Sequence, residues 1–127
     1  ELAIITTARC WSAQFEWEHH VPLAKEAGIN IDYIKLIAKG LRPLFKNNKE
    51  QLIFDFCAEI HIKKSVSDIT YFNIIRVLGK NAVIDLVALC GYYSLVSITL
   101  NVFNVLTTNK TLYLPKITKL DGMLKND

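Results

Sequence analysis

The sequence predicts an all-α domain of about six helices, and three observations carry that expectation. Apolar residues recur at three- and four-residue spacing. Cap-like residues and glycines bracket the periodic runs. No stretch alternates polar and apolar residues as a half-buried strand would. The 127 residues suit one core, and 51% of them are hydrophobic, enough to fill it and leave apolar surface for a subunit interface.

The first helix is expected to end near Cys10. A second runs from about Ser12, a plausible N-cap, to Ala27, with Gly28 as its stop. Asn30 caps a short third helix, Ile31 to Lys39, closed by Gly40. Leu41-Arg42-Pro43 is a connector, because proline disfavours helix in the preceding residue. The fourth helix covers about Asn48 to Lys64 and places Leu52, Ile53, Phe56, Cys57 and Ile60 on one face. Glu59 and Lys63 then pair on its wet side, and His61 is solvated. Ser67 caps a fifth helix, Asp68 to Leu78, stopped by Gly79. Asn81 caps the sixth, about Ala82 to Val105. Residues 1–106 form the helical domain. Residues 107–127, with Pro115 and Gly122, form an extended tail that docks on the domain or on a neighbouring subunit.

The charge excludes some functions. A net charge of +3 with dispersed lysines (Lys25, Lys35, Lys39, Lys49, Lys80, Lys110, Lys125) offers no nucleic-acid stripe. Cys10, Cys57 and Cys90 stand alone in sequence, which argues against a disulfide framework and a zinc site and fits a reducing cytoplasm. No signal peptide opens the sequence, and it starts at Glu1 rather than Met, so a preceding stretch is expected to be missing or removed. Asn109-Lys110-Thr111 matches a glycosylation acceptor but has no secretory context. Leu86 to Leu106 is long and uncharged enough to test as a membrane span. Tyr93, Ser97, Asn101 and Asn104 recur there as a polar stripe, so a helix buried among others, its stripe on a cavity or interface, is the preferred reading.

The chemistry concentrates in Phe15-Glu16-Trp17-Glu18-His19-His20. Glu16 and His20 lie four apart, about 6 Å of helical rise, and share a face with Ala13, Trp17, Ala24 and Ala27. A carboxylate beside an imidazole fixes its tautomer and favours its charged form, the combination general acid–base catalysis uses near neutral pH. Pro22 lacks a backbone donor just beyond and is expected to loosen or kink this helix. His19 points partly outward. No third ligand accompanies the pair, so no metal is expected. Gly-x-Ser-x-Gly, a phosphate loop and Cys-x-x-Cys are all absent.

Glu1-Leu2-Ala3-Ile4-Ile5, Phe15-Glu16-Trp17-Glu18-His19-His20, Ala27-Gly28-Ile29, Val66-Ser67-Asp68-Ile69-Thr70-Tyr71, Leu78-Gly79, Asp85-Leu86-Val87, Gly91-Tyr92-Tyr93 and Leu100-Asn101-Val102-Phe103 together resemble the carboxymuconolactone decarboxylase / alkylhydroperoxidase-D-like family over roughly residues 1 to 105. The most specific part is Glu-Trp-x-x-His. The resemblance implies an alkylhydroperoxidase-D-like bundle that assembles as a homotrimer or homohexamer. It places His20 at the hydroperoxidase branch's histidine and Glu1 at its upstream glutamate. Ala13 and Glu16 stand where that branch has its two cysteines. Both sulfurs are gone, and disulfide peroxidase chemistry requires a nucleophilic and a resolving thiol. The implied activity is therefore cofactor-free decarboxylation of a small γ-carboxymuconolactone-like acid. His20 is the proton donor, Glu16 its partner and Glu1 a second acid. Arg9, Trp17 and Tyr93 are the candidates for holding substrate. The alternatives are a hydroperoxidase-like oxidoreductase that depends on Cys10, and a non-catalytic small-molecule-binding oligomer.

Overall fold

The computed structural model describes residues 1–107 and 112–125, and the Asn109-Lys110-Thr111 acceptor lies outside them. Among the described residues the regular structure is helical: α1 (Leu2–Cys10), α2 (Gln14–Glu26), α3 (Ile31–Ala38), α4 (Asn48–Lys63), α5 (Asp68–Leu78) and α6 (Lys80–Val102), with a short 3-10 turn at Asp121–Met123.

The centre of the fold is α1. Every residue from Leu2 to Arg9 is buried, because α2, α3, α4 and α6 all pack against this one short helix. Two apolar clusters result. One joins Leu2, Ile5 and Ala8 of α1 to Trp17, Val21 and Ala24 of α2, Ile34 and Ile37 of α3, and Phe54 of α4. The other joins Ala3 to Leu52, Phe56 and Cys57 of α4, Ile74 of α5, and Val83, Leu86 and Cys90 of α6. Each fully buried Leu, Ile or Phe side chain contributes about 1.5–3 kcal/mol of transfer free energy.

The helix ends follow local chemistry, in places differently from expectation. Ser12 does not cap α2. It adopts φ 50 just past α1, while Ala13 N donates to Ala8 O at 2.9 Å, so Ser12 closes α1 as the left-handed residue of a Schellman turn. The α2 helix starts instead from extended Ala13 without a side-chain cap and runs unbroken through Pro22. Asn30 and Ser67 do cap α3 and α5, their side chains accepting from Asp32 N and Thr70 N. Asn81 caps nothing. Gly79, at φ 84 and ψ 160, ends α5 and starts α6 directly, so Asn81 lies inside the helix.

The tail docks on its own domain. Leu114 and Met123 join the first cluster, Arg42 N donates to Gly122 O at 2.8 Å, and Gln14 both donates to Leu112 O and accepts from Leu114 N. A Cβ on Gly122 would sit 2.9 Å from Gly40 O, which is why this approach needs glycine. Arg42 also grips Asp55 of α4 through two hydrogen bonds of 2.7 and 2.9 Å, and Lys125 adds an ion pair at 3.2 Å.

The α4 helix departs most from its expected face. It packs between α1 and α5, so Asp55, Glu59 and His61 are buried along with its apolar residues. Glu59 does pair with Lys63, at 3.9 Å, but it is buried and not on a wet side. It accepts from Ser67 N at 2.7 Å and Thr70 Oγ1 at 3.0 Å, anchoring the start of α5. The α6 helix is buried along one face only. Ser97 is fully buried and Asn101 Nδ2 reaches back to Trp11 O at 2.8 Å, so part of the polar stripe does face inward. The opposite face exposes Ile84, Val87, Leu95 and Val102. This helix has the length and apolarity to cross a bilayer, with 22% of its most apolar window buried.

Candidate active site

The first two turns of α2 deliver Glu16 and His20 to the same place as Glu1, at the start of α1, and Tyr93, midway along α6. Three elements thus converge because α1 packs on both α2 and α6. Glu16 and His20 are 6% and 8% exposed, and His19 is exposed as expected.

His20 is held from both sides. Its Nδ1 lies 3.0 Å from Glu1 Oε2, a hydrogen bond, and its Nε2 lies 3.8 Å from Glu16 Oε2, too long for one. With Nδ1–H donating to Glu1, Nε2 is the working nitrogen. The Tyr93 ring packs edge-on to the imidazole at 5.1 Å between centroids.

Glu16 is the exposed nerve of this arrangement in an electrostatic sense. Its Oε2 is buried and has no hydrogen-bond partner. Burial pushes its carboxyl above the ordinary carboxylate range, against the pull of His20 and His19. Tyr93 is pushed up as well, first by burial and then by the charges of Glu16 and Glu1, so it remains a hydroxyl donor. An orphaned buried oxygen, an imidazole nitrogen and a phenol around one spot can exchange a proton with a bound molecule.

Of the sequence-level candidates, Glu1, Glu16, His20 and Tyr93 come together. Trp17 lies beside them in sequence but points into the core, 3% exposed. Arg9 is elsewhere. It is buried, with Nη1 donating to Ala38 O and Pro115 O at 2.9 and 2.8 Å and Nη2 donating to Ser12 Oγ at 2.7 Å. It lines a cavity of about 460 Å³ with Ser12, Gln14 and residues 113–118, whose walls include none of Glu1, Glu16 and His20. Burial lowers its pKa from the usual guanidinium value. Its hydrogen bonds hold the tail.

Sequence reasoning missed a second cluster. Cys57 and Cys90 do not stand alone: their Sγ atoms are 3.4 Å apart. His61 is not solvated. It is 9% exposed and its Nε2 lies 2.8 Å from Thr7 Oγ1. The available signal was Cys57 and His61, four apart and hence on one face of α4. Cys10, by contrast, has its thiol pushed up to about 12, chiefly by burial, which keeps it protonated at neutral pH. Among the described residues no group of three His, Cys, Asp or Glu side chains is placed to hold a metal ion.

Comparison with family models, with curated proteins and with solved structures finds no match for this chain.

Proposed function

We propose that the protein is a cofactor-free, decarboxylase-like lyase of the carboxymuconolactone decarboxylase type, acting on a small γ-carboxymuconolactone-like acid. The observation that supports it is the buried, unpartnered Glu16 Oε2 standing 3.8 Å from His20 Nε2. A pair left this way, in a site that could have been closed with apolar side chains, is arranged for a third participant.

The chemistry follows from the frame. The substrate's carboxylate C–C bond breaks, carbon dioxide leaves, and the electron pair enters the conjugated lactone carbonyl as a dienolate. His20 Nε2–H then gives a proton to carbon. Glu1 holds Nδ1 and steadies the imidazolium before transfer, and Glu16, raised by burial, resupplies the proton from solvent. Tyr93 supplies a neutral donor for the developing oxyanion. The hydroperoxidase alternative rests on Cys10, whose thiol stays protonated and is a poor nucleophile, so the lyase reading is preferred.

We place the chain in a cytoplasmic homo-oligomer, a trimer or hexamer. Ile84, Val87, Leu95 and Val102 give α6 an apolar outer face of the kind oligomers cover. Mass photometry of the wild type should give a multiple of the 14.5 kDa chain, and Val87→Glu with Leu95→Glu should return it to a monomer. A monomeric wild type in solution overturns the assembly.

The activity test is a panel of muconolactone-like and aromatic acids, with products detected by mass. Loss of carbon dioxide from at least one acid is expected, and it should disappear in His20→Gln while the oligomer persists. Saturable binding without product would establish a binding protein instead. Undiminished turnover by His20→Gln would reject the catalytic assignment.

A further inference from the structure

We propose that Cys57 and Cys90 are a redox pair, closed into a disulfide between α4 and α6 by hydrogen peroxide, with His61 as the proton carrier. The proposal stands on the second buried cluster and does not depend on the Glu16–His20 site.

The geometry is close to what the bond requires. A disulfide needs about 2.05 Å between sulfurs, so a separation of 3.4 Å leaves roughly 1.4 Å to close. The two thiols come from different helices, α4 and α6, 33 residues apart, so the bond would cross-link the second core cluster. Two hydrophobes filling a gap would need nothing further around them. Here a hydrogen-bonded chain stands beside the pair instead: Ala3 O, Thr7 Oγ1 at 2.9 Å, then His61 Nε2 at 2.8 Å, with His61 and Thr7 both acting on Cys90. With the Thr7 proton on Ala3 O, the threonine oxygen accepts from the imidazole.

The two sulfurs are unequal, and the inequality assigns their roles. Cys90 is held below the ordinary thiol range, first by the hydrogen bond from Cys57 and then by His61 and Thr7, against the opposing cost of burial. Cys57 is pushed well above that range by the same hydrogen bond and by burial. The groups acting on the pair are Thr7 and Cys10 from α1, His61 from α4 and, on Cys57, the N-terminal ammonium of Glu1. Cys90, the sulfur on which His61 and Thr7 act, is assigned as the attacking sulfur and Cys57 as the resolving one.

The reaction balances without a cofactor. His61 takes the Cys90 proton, the resulting thiolate attacks one oxygen of hydrogen peroxide, the O–O bond breaks, and hydroxide leaves as water with that proton returned by His61. Cys57 then attacks the Cys90 sulfenic sulfur, the S–O bond breaks, and a second water leaves with the Cys57 proton. Two thiols lose two electrons and hydrogen peroxide gains them. Burial limits the oxidant to a small one: Cys57 and Cys90 are 0% and 1% exposed, which shuts out a protein disulfide.

The test is peroxide treatment of the folded full chain, then alkylation under denaturing conditions and mass analysis. The expected product has lost about 2 Da, carries one alkyl group on Cys10 and yields a Cys57–Cys90 cross-linked peptide. In Cys57→Ser, dimedone should trap the sulfenic acid on Cys90. His61→Gln should slow cross-linking about tenfold or more. Three alkylatable thiols after peroxide exposure overturn the proposal, and so does dimedone trapped on Cys10. Cross-linking at the wild-type rate in His61→Gln removes His61 from it. None of these readouts involves lyase turnover.

Discussion

The fold buries two imidazoles to nearly the same depth, His20 at 8% and His61 at 9% exposure, and gives them opposite surroundings. His20 stands between two carboxylates, one of them bonded and one left short of a bond. His61 stands beside a threonine hydroxyl and a pair of thiols. Depth alone therefore says little about what a buried histidine does. The difference lies in what its neighbours leave unfinished. Around His20 an acidic oxygen lacks a partner, which calls for a ligand or a proton. Around His61 the unfinished business is two sulfurs that are near each other and not joined.

Glutamine at each position gives the widest separation between the two sites. His20→Gln keeps a polar side chain but loses the titrating nitrogen, and turnover of a true substrate should fall by about 10²–10⁴-fold. His61→Gln should leave that turnover within about twofold, because nothing in its cluster touches Glu1, Glu16 or His20. Steady-state kinetics on both variants decides it. Equal losses from both would mean the clusters are coupled through α1 and are not separate sites.

Stability should rank the two in the opposite order. His61→Leu strips the partner from Thr7 Oγ1 and a donor from Cys90 inside the core, so an unfolding cost of about 1–3 kcal/mol is expected. His20→Leu loses its bond to Glu1, whose side chain is still 25% exposed and can turn to water, so its cost should be smaller. Urea titration of both variants measures the gap. A larger loss at His20 would show that the Glu1 bond anchors α1 to α2.

The same contrast explains what could be read from the sequence. The α2 site was legible because α2 is buried along one face, so residues 16, 17, 20 and 24 sort inward by spacing. Glu1 was named only through the family resemblance, and the spacing that put Tyr93 in the polar stripe of α6 did not tie it to α2. The α4 cluster was hidden because face-sorting assumes a wet side. Sandwiched between α1 and α5, α4 buries Asp55, Glu59 and His61, each satisfied by a partner on another element: Arg42, Ser67 and Thr70, and Thr7. Helix ends failed for a related reason. Ser12 and Asn81 look like caps, but the Schellman turn and the two-way Gly79 junction had already placed the chain. The polar stripe of α6 was readable, whereas the exposure of its apolar side depends on neighbours the sequence does not name.

The smallest effect is also the most direct probe of why Glu16 is special. Its carboxyl is raised in the folded protein, so the native state keeps its proton to higher pH than the unfolded chain does. Between the two values the native state binds more protons, and stability must fall as pH rises. The wild type is therefore favoured by this group in acid and loses that advantage as pH climbs through the raised value. Glu16→Gln carries no charge to bury and should not follow that fall. At pH 4 the two proteins should melt together. At pH 8 the variant should be more stable by on the order of 1 kcal/mol, about 4 °C in Tm, the low end of what an incompletely bonded buried group costs. The difference between the two curves cancels every other titrating group they share. A gap of the same size at both pH values would mean that packing around residue 16, and not its charge, sets the cost, and the unpartnered oxygen would lose its claim to be waiting for a substrate.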